Sequence, residues 1–342
     1  MQTLNPLEIP GWDGLISSHK DASFFHSASW AGVLRDTYGH APHYFCAADG
    51  VRLSAFLPVM EVNSLFTGRR GVSLPFTDEC PFLSDGSVSA EDLFKEVTDF
   101  GKRRQWNYLE CRGTKGLPQA TGPSLSFRGH VLALADRPDR IFGRFEGSVR
   151  RAIRKAERAK IQLEISQSAE SLRTYHSLHC KTRRKHGLPP QSLAFFQSIF
   201  RQVFSQGMGL TVVASYQERP IAAGVFFHFA DKAVYKFGAS DPAFQHLRGN
   251  NLVMWEAIKR YCAGGYSSLH FGRTSMANEG LRRFKLGFGT AEYMIDYFKY
   301  DFRKAAFVAE RDRVFGWFNN LFRWMPIRLS RLVGLLLYRH QS

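Results

Sequence analysis

Two similar stretches of the chain each contain two mainly apolar runs separated by a short polar turn. In residues 44–60 the polar turn lies at Asp49 and Gly50, and residues 211–228 repeat that pattern in the second half. Two such runs joined by a short polar turn predict two antiparallel strands that form a hairpin. We therefore expect one hairpin in each half of the chain.

Each predicted hairpin is followed by apolar residues at helical spacing and then by a short apolar run. The helical stripe of the first half consists of Leu93, Phe94, Val97 and Phe100. That of the second half consists of Val253, Met254, Ala257 and Ile258. The apolar runs at 106–110 and 266–271 predict buried strands. A hairpin, helix and strand occurring twice predict an α/β protein made by duplication, with mixed sheets flanked by helices.

Glycine, proline and threonine are concentrated at 113–123, a composition typical of loops. We place a first domain at 1–135, a second at 136–303 and a C-terminal tail at 304–342. The second domain is expected to open with a strongly basic helix, for which Ser148 is the predicted N-cap.

The end of the chain, 314–342, contains no Asp or Glu but includes Arg323, Arg328, Arg331 and Arg339. Pro326 divides it into two amphipathic stretches, each too short to cross a bilayer. Two interpretations stay open for this tail: a helix packed back on the first domain, or attachment to the surface of an anionic membrane.

The charge balance narrows the range of partners. Forty-six Lys and Arg against 30 Asp and Glu give a net charge of +16, which attracts phosphate-bearing partners such as RNA, CoA, nucleotide-linked sugars or anionic lipids. The five cysteines lack the spacing of metal ligands or disulfides, and the first residues do not resemble a signal peptide. We expect a cytoplasmic protein, located at the inner membrane face if its tail binds lipid.

Three segments carry a family resemblance. They are SVRRAIRKAERAKIQLEIS at 148–166, HCKTRRKHGLPP at 179–190, and a composite of FGAS at 237–240, NNLVMWEAIK at 250–259 and FGRTSMANEGLRRFKLGFG at 271–289. Together they resemble the Fem-like (FemA/FemB/FemX-related) aminoacyltransferases and the BioF2-like (CelD/BcsL-type) acyltransferases of the GNAT fold. The resemblance covers residues 140–300 clearly and the first half more loosely.

This resemblance implies two tandem GNAT-like domains and an acyltransferase that moves an acyl or aminoacyl group to an amine. In the Fem enzymes the acceptor is an amine of a peptidoglycan precursor, so we expect a peptidoglycan- or exopolysaccharide-related acceptor here. The donor is expected to be aminoacyl-tRNA or acyl-CoA, with no permanently bound cofactor. The resemblance also places Phe284 and Lys285 at the active site.

The chemistry of the transfer gives Lys285 a specific role. Attack on an ester or thioester builds negative charge on the carbonyl oxygen, and losing one fixed donor that stabilises this charge costs on the order of 3 kcal/mol. Lys285 is therefore a candidate catalytic residue. The alternative is a solvated lysine beside Arg282 and Arg283.

Residues 245–251, QHLRGNN, occupy the position at which GNAT enzymes hold the pyrophosphate of CoA on a glycine-rich turn. Arg248 and Gly249 keep part of that pattern, and Arg248 is a predicted substrate-binding residue. Asn250 and Asn251 replace small residues, which favours a donor other than CoA. Capping of the next helix by Asn250 is the alternative interpretation.

A polar loop follows the predicted strand at 266–271, and such loops commonly contact ligands. Glu279 is a candidate catalytic residue that accepts a proton from the attacking amine, or else a surface or capping carboxylate. The predicted substrate-binding residues, in addition to Arg248, are Arg273, Thr274, Ser275, Asn278, Tyr235, Arg183 and Arg184. Turn formation, core packing or simple solvation are the alternatives for these positions.

No catalytic triad and no spacing typical of metal ligands is found, so we predict no metal site. Two other functions stay open. One is a CoA-dependent N-acetyltransferase with a small-molecule substrate, and the other is a noncatalytic RNA- or membrane-binding scaffold.

Overall fold

The computed structural model describes residues 1–49, 52–114, 117, 122–310 and 322–341. The chain divides into two compact units. The first comprises Met1–Phe127, Met294–Arg313 and Leu337–Ser342, and the second comprises Arg128–Tyr293 and Val314–Leu336. The predicted boundaries at 135 and 303 divide the chain into consecutive segments, whereas each compact unit combines segments that are distant in the sequence. The predicted boundaries stay a prediction.

The helices and strands follow one another in this order. Up to residue 112 they are β1 Gln2–Leu4, α1 Trp12–Ser17, α2 Ala28–Tyr38, β2 Ala41–Asp49, β3 Arg52–Ser64, β4 Gly68–Val72, β5 Leu83–Ser84, α3 Ala90–Arg103 and β6 Tyr108–Arg112. The next are β7 Leu125–Ala133, α4 Pro138–Arg144, α5 Gly147–Arg158, β8 Gln162–Ser166, α6 Ala169–Lys185, α7 Leu193–Gln202 and β9 Gly209–Tyr216. The last are β10 Arg219–Phe229, β11 Lys232–Ser240, α8 Gly249–Ala263, β12 Ser268–His270, β13 Thr274–Ser275, α9 Glu279–Leu286, β14 Ala291–Asp301, β15 Ala306–Phe307 and α10 Ile327–Leu337.

The sheet of the first unit has the strand order β1-β2-β3-β4-β6-β14. Strands β2 and β3 form the hairpin predicted from residues 44–60, although Gly50 of its turn lies outside the described residues. Helix α3 follows, and its Leu93 and Val97 are buried with Leu109 of β6. The predicted hairpin, helix and strand of the first half are therefore confirmed.

The sheet of the second unit has the strand order β7-β12-β11-β10-β9-β8. Strands β9 and β10 form the second predicted hairpin, and α8 and β12 are the predicted helix and strand that follow it. The β11–β12 pair is parallel, whereas β10–β11 and β12–β7 are antiparallel. The sheet is thus mixed, as predicted.

Helices cover both faces of this second sheet. Phe226 of β10 belongs to a core cluster with residues of α5 and α8. Its neighbour Phe227 contacts Phe237, which packs on Tyr175 of α6 and Phe196 of α7. Neighbouring residues of a strand point to opposite faces, so α5 and α8 cover one face while α6 and α7 cover the other.

One local prediction is wrong. Helix α5 begins at Gly147 with Glu146 as its N-cap, so Ser148 lies inside the first turn. The backbone N–H of Val149 donates to the Glu146 carbonyl, and the Ser148 hydroxyl donates to the Glu146 side chain at 3.2 Å. Ser148 cannot be the N-cap because the helix has already started. The first amphipathic stretch of the tail, up to residue 321, lies outside the described residues.

Candidate functional site

Strands β11 and β12 part after a short common stretch. Their parallel register covers only Lys232–Ser268, Ala233–Leu269 and Val234–His270, after which β12 ends while β11 continues to Ser240. The other edge of β11 stays paired with β10 as far as Ala222 and Ser240. Along 235–239, one edge of β11 therefore has no strand partner among the described strands. An open strand edge offers backbone N–H and C=O groups to an extended ligand.

Tyr235 lies where this open edge begins. Its ring packs against Phe226 and Phe271, with centroid distances of 5.2 and 6.5 Å. A Cβ added at Gly238 would lie 1.7 Å from the Tyr235 hydroxyl, so the tyrosine extends over a residue that must be glycine. Burial raises the pKa of Tyr235 to about 12, which keeps the phenol protonated. The predicted role of Tyr235 as a wall of the site stays a prediction that this placement supports.

The N-terminus of α8 faces the loop that follows β11. Its cap residue is Arg248, which is exposed and has a left-handed backbone with φ of 64°, and no side chain caps the helix. Gly249 packs tightly on β10, because an added Cβ would lie 3.1 Å from Ala222 and 3.3 Å from Ile221. The interpretation of Asn250 as the cap is wrong, since the helix starts before it. An uncapped helix N-terminus presents N–H groups and a positive dipole end, which favour an anion.

Residues at the end of α6 form hydrogen bonds with the loop between β11 and α8. The Lys181 ammonium donates to Asp241 at 2.6 Å, and Asp241 caps the 3-10 turn Pro242–Leu247. The Thr182 hydroxyl donates to the Ser240 carbonyl at 3.0 Å and accepts from the Ser240 N–H at 2.9 Å. The loop between β11 and α8 is therefore held in place before any ligand arrives.

Arg183 and Arg184 lie in the last turn of α6. The Arg183 Nε donates to the Pro189 carbonyl at 3.2 Å and so stabilises the turn that follows the helix, whereas Arg184 is exposed. The structure gives Arg183 a local structural partner. The predicted phosphate contact for the two arginines stays a prediction.

Lys285 is buried rather than solvated. The residue is 3% exposed, and its ammonium donates to the carbonyls of Gly272 at 2.7 Å and Arg273 at 3.0 Å. A buried ammonium is tolerated where hydrogen bonds replace its lost hydration. The alternative of a solvated lysine is therefore wrong, and the cation fixes the loop that leaves β12.

The loop between β12 and α9 contains four of the predicted site residues, Arg273, Thr274, Ser275 and Asn278. Asn278 caps α9 by accepting from the Leu281 N–H at 3.0 Å, and Ser275 accepts from the Ala277 N–H at 3.4 Å. Thr274 is buried, and its hydroxyl has no hydrogen-bond partner among the described residues. The capping role proposed as an alternative for Asn278 is thus present. Substrate contacts by these residues and by Arg273 stay predictions.

Phe284, which precedes Lys285 in α9, points into the core of the second unit. It is partly buried against that core, and its ring contacts Phe288 at 5.3 Å. Its placement supports a packing role that anchors α9 beneath the loop. A direct catalytic role for Phe284 stays a prediction.

Glu279 opens α9 with a half-exposed carboxylate. It accepts from Arg128 at 2.7 Å and from Arg282 at 3.3 Å. The hydrogen bond from Arg128 is the main cause that lowers the pKa of Glu279. The carboxylate is consequently ionised at neutral pH, while its two arginine partners reduce its basicity.

A buried histidine that the sequence analysis did not identify lies near Lys285 and Glu292. His130 on β7 is fully buried, and neither ring nitrogen has a hydrogen-bond partner among the described residues. Its Nε2 lies 3.9 Å from the carboxylate of Glu292. Burial, reinforced by the charge of Lys285, lowers the pKa of His130 to about 4. The imidazole is therefore neutral at physiological pH.

Glu292 and His270 complete the cluster. Glu292 accepts from Arg282 through both oxygens, at 2.7 and 3.0 Å, and this pairing is the main cause that lowers the pKa of Glu292. His270 Nδ1 accepts from the Gly272 N–H at 3.0 Å, which leaves Nε2 to donate to the Tyr293 hydroxyl at 2.8 Å. Arg128, His130 and Leu132 are two residues apart along β7 and so lie on one face of the strand. Because Leu132 belongs to the core, the sequence could have placed the other two beside it. No pattern in the sequence connects them with α9.

Two further observations concern metal binding and membrane-spanning helices. Within the described residues, no group of three or more His, Cys, Asp or Glu side chains is arranged to hold a metal ion. None of the helices in the described part of the chain has the length and apolar content needed to cross a bilayer.

Comparison with protein-family models matches residues 143–294 to the acetyltransferase (GNAT) domain. This range includes the parting strands, the uncapped α8 and the cluster around Lys285. Residues 143–294 are thus similar to a GNAT acetyltransferase domain. The predicted enzyme class, an acyltransferase, is confirmed.

Solved structures extend the likeness over most of the chain. FemX has a TM-score of 0.64 at 14% identity, covering 86% of this chain and 97% of its own. L-PGS from Bacillus licheniformis has a TM-score of 0.56 at 13% identity and covers 96% of both chains. A tandem GNAT protein from the clavulanic acid biosynthesis pathway has a TM-score of 0.56 at 10% identity, covering 91% and 98%.

At such identities the likeness concerns the fold. It confirms the predicted α/β fold of two tandem GNAT-like domains and the resemblance to Fem-like acyltransferases of the GNAT fold. Comparison with curated protein sequences gives no match.

Proposed function

We propose that the protein transfers an acyl or aminoacyl group from a phosphate-bearing donor to an amine of a cell-envelope precursor, related to peptidoglycan or exopolysaccharide. The observation that carries this proposal is the combination of an open strand edge on β11, an uncapped helix N-terminus beside it and a loop fixed by a buried cation. Each of the three meets a different need of acyl transfer.

The open edge of β11 suits the extended part of the donor that ends in the acyl or aminoacyl group, which is called its arm below. An extended arm with amide groups can pair with the backbone along 235–239, in the way that a peptide adds a strand to a sheet. Tyr235 and Phe271 supply an apolar wall where β11 and β12 part. The carbonyl carbon at the end of the arm would then lie near the loop that follows β12.

The N-terminus of α8 suits the phosphate end of the donor. The exposed Arg248 adds a guanidinium to the helix dipole, and guanidinium pairs well with phosphate oxygens. The tight packing of Gly249 allows the helix to begin close to β10. These features support acyl-CoA as a donor as well as aminoacyl-tRNA, because both carry phosphate, and they weaken the argument drawn from Asn250 and Asn251.

The reaction itself needs few groups. The lone pair of the acceptor amine attacks the carbonyl carbon, the carbonyl oxygen gains negative charge, and collapse expels the thiolate of CoA or the ribose oxygen of tRNA. Lys285 stabilises the charge through its positive field and by fixing the loop of Gly272 and Arg273. The ionised Glu279 is the proposed acceptor of the amine proton.

A CoA-dependent N-acetyltransferase with a small-molecule acceptor is the second candidate. The uncapped α8 favours it, since this feature addresses the donor and leaves the acceptor open. A noncatalytic scaffold is not retained, because the GNAT domain places the chain among acyltransferases.

The test is a transfer assay with two donors side by side. The full chain is incubated with acyl-CoA or with charged tRNA, each with a nucleotide-linked peptidoglycan precursor or a small amine, and products are identified by mass spectrometry. We expect amide formation on the precursor. Products on the small amine alone would favour the second candidate, and no product with any pair would contradict the proposal.

The role of Lys285 is tested with Lys285→Met, which keeps the length of the side chain and removes its charge. We expect kcat to fall about 100- to 1000-fold. Lys304→Met, at an exposed position, is the matched control and should leave kcat unchanged. Full activity of folded Lys285→Met would contradict the assignment.

The proposed place of action is the cytoplasm. Contact of the C-terminal tail with the inner membrane face is proposed as well and does not depend on the transfer; it is supported by the exposed Arg323, Arg328, Arg331 and Arg339.

A further inference from the structure

Helix α10 contacts the second unit through its smallest residues. Ser330 and Gly334 are the buried residues of this helix. A Cβ added at Gly334 would lie 2.0 Å from the Pro190 carbonyl oxygen and 3.6 Å from Pro189. The helix therefore lies directly on the backbone that follows α6, and only a side without bulky side chains can face inward.

The leucines of α10 consequently face outward. Leu329, Leu332, Leu335 and Leu336 are between 49% and 63% exposed, and Trp324, just before the helix, is 89% exposed. At 100° per residue, these leucines span one side of the helix, opposite Ser330 and Gly334. Apolar side chains grouped in this way on a surface mark a contact with a partner or a membrane.

Only positive charge accompanies these leucines. Arg323, Arg328, Arg331 and Arg339 are all exposed, and residues 322–341 contain no Asp or Glu. Within the described part of the chain, none of these four arginines forms an ion pair with a carboxylate. At 100° per residue, Arg328 lies on the same side of α10 as the leucines and Arg331 lies at the edge of that side, so apolar and cationic groups can contact one partner together.

We propose that α10, together with Trp324, binds the surface of an anionic phospholipid bilayer. The helix lies in the plane of the interface, with its leucines among the acyl chains and its arginines among the lipid phosphates. An 11-residue helix is too short to cross the bilayer. This inference is independent of the proposed acyl transfer, since lipid binding is measured without a donor or an acceptor.

The charges select lipid over other partners. A second copy of the chain meeting this surface face to face would bring two sets of arginines together, which opposes association. A nucleic acid would satisfy the arginines but leave four leucines and Trp324 in water. An anionic bilayer satisfies both groups at once.

The test is co-sedimentation of the full chain with vesicles of phosphatidylglycerol and phosphatidylcholine, compared with phosphatidylcholine alone. We expect binding to the anionic vesicles that decreases with salt. The double variant Leu332→Ser, Leu336→Ser should lower binding about tenfold or more, and so should Arg328→Gln, Arg331→Gln.

Two matched controls separate this surface from general stickiness. Ile165→Ser, at a partly exposed apolar position of β8, should bind as the parent does. Arg154→Gln with Lys155→Gln, on the exposed side of α5, should do so as well. Equal binding to both kinds of vesicle, an equal loss in the α5 variant, or full binding by folded Leu332→Ser, Leu336→Ser would overturn the proposal. A concentration-dependent dimer that these leucine changes abolish would instead assign the surface to a second copy.

Discussion

At the scale of single residues, the candidate site contains a buried ammonium that has hydrogen-bond partners. Near it lies a buried imidazole that has none among the described residues. Lys285 is held by two backbone carbonyls, whereas both nitrogens of His130 lack a hydrogen-bond partner among the described residues. A buried polar group without a partner typically costs 1–3 kcal/mol. Proteins tolerate such a cost chiefly at functional sites, so His130 is the residue at which stability and function should separate.

We expect His130→Met to leave the free energy of unfolding unchanged or to raise it by about 1 kcal/mol, because an unsatisfied polar group is replaced by an apolar one. The transfer rate should fall by about tenfold or more. His179→Met is the control, because His179 is equally buried but lies 2.7 Å from the Gln191 side-chain oxygen and should lose about 1–3 kcal/mol. Urea unfolding and the transfer assay measure the two effects. A destabilised His130→Met would assign this residue a structural role.

Sequence reasoning reached Lys285 but not His130, and the reason is physical. The motif around Lys285 is continuous along α9, so a resemblance can identify it. His130 comes from β7, about 150 residues earlier in the chain, and only the packing of β7 beneath α9 brings the imidazole close to the Lys285 charge. The sequence could predict the half-buried strand but not the element that would cover it.

At the scale of elements, the start of α8 combines backbone strain with a helix N-terminus that no side chain caps. Arg248 has a φ of 64°, which costs an ordinary residue roughly 1 kcal/mol relative to glycine. A glycine here would be more stable but would lack the guanidinium. We therefore expect the Arg248 side chain to contribute to donor binding.

Arg248→Gly and Arg248→Ala should therefore differ in their free energy of unfolding but show the same change in the KM for the donor. We expect Arg248→Gly to raise the free energy of unfolding by up to about 1 kcal/mol, while Arg248→Ala keeps the strain and does not. Both should raise the KM for the donor about three- to tenfold, since one charge-assisted phosphate contact is lost. Arg260→Ala, exposed in the last turn of the same helix, is the control. An unchanged donor KM in both variants would remove Arg248 from the site.

The elements themselves were largely predictable, whereas their ends were not. The apolar runs on either side of a polar turn at 44–60 and 211–228 identified both hairpins, because most residues of β3, β9 and β10 are buried. The caps were misassigned at Ser148 and at Asn250 because good capping residues also occur inside a first turn. Which residue caps a helix depends on where the chain enters, and this is decided by packing such as that of Gly249 on Ala222.

At the scale of the whole molecule, several histidines are buried in the neutral form. Burial is the main cause that lowers the pKa of His40 to about 3 and the pKa of His176 to about 4, and it holds the pKa of His179 well below its usual range. The unfolded chain binds protons at these sites near pH 6.5, whereas the folded chain does not. Protons consequently favour the unfolded state between about pH 6.5 and pH 4.

We expect the free energy of unfolding to be constant above pH 6.5 and to fall as the pH drops toward 4, each buried histidine adding a slope of up to about 1.4 kcal/mol per pH unit. His176→Asn should flatten this dependence by one proton, while His246→Asn, at an exposed position, should leave it unchanged. Urea unfolding at several pH values measures the slopes. A stability that stays constant from pH 7 to pH 4.5 would contradict the neutral state of these histidines.

The parting of β11 from β12 also sets a length. Five residues of free edge, 235–239, correspond to about 16 Å at roughly 3.3 Å per residue. The paired hydrogen bonds between Thr182 and Ser240 close its far end. If the donor pairs along this edge as proposed, we expect its reactive carbon to reach the acceptor amine only when the extended part of the donor is about 16 Å long.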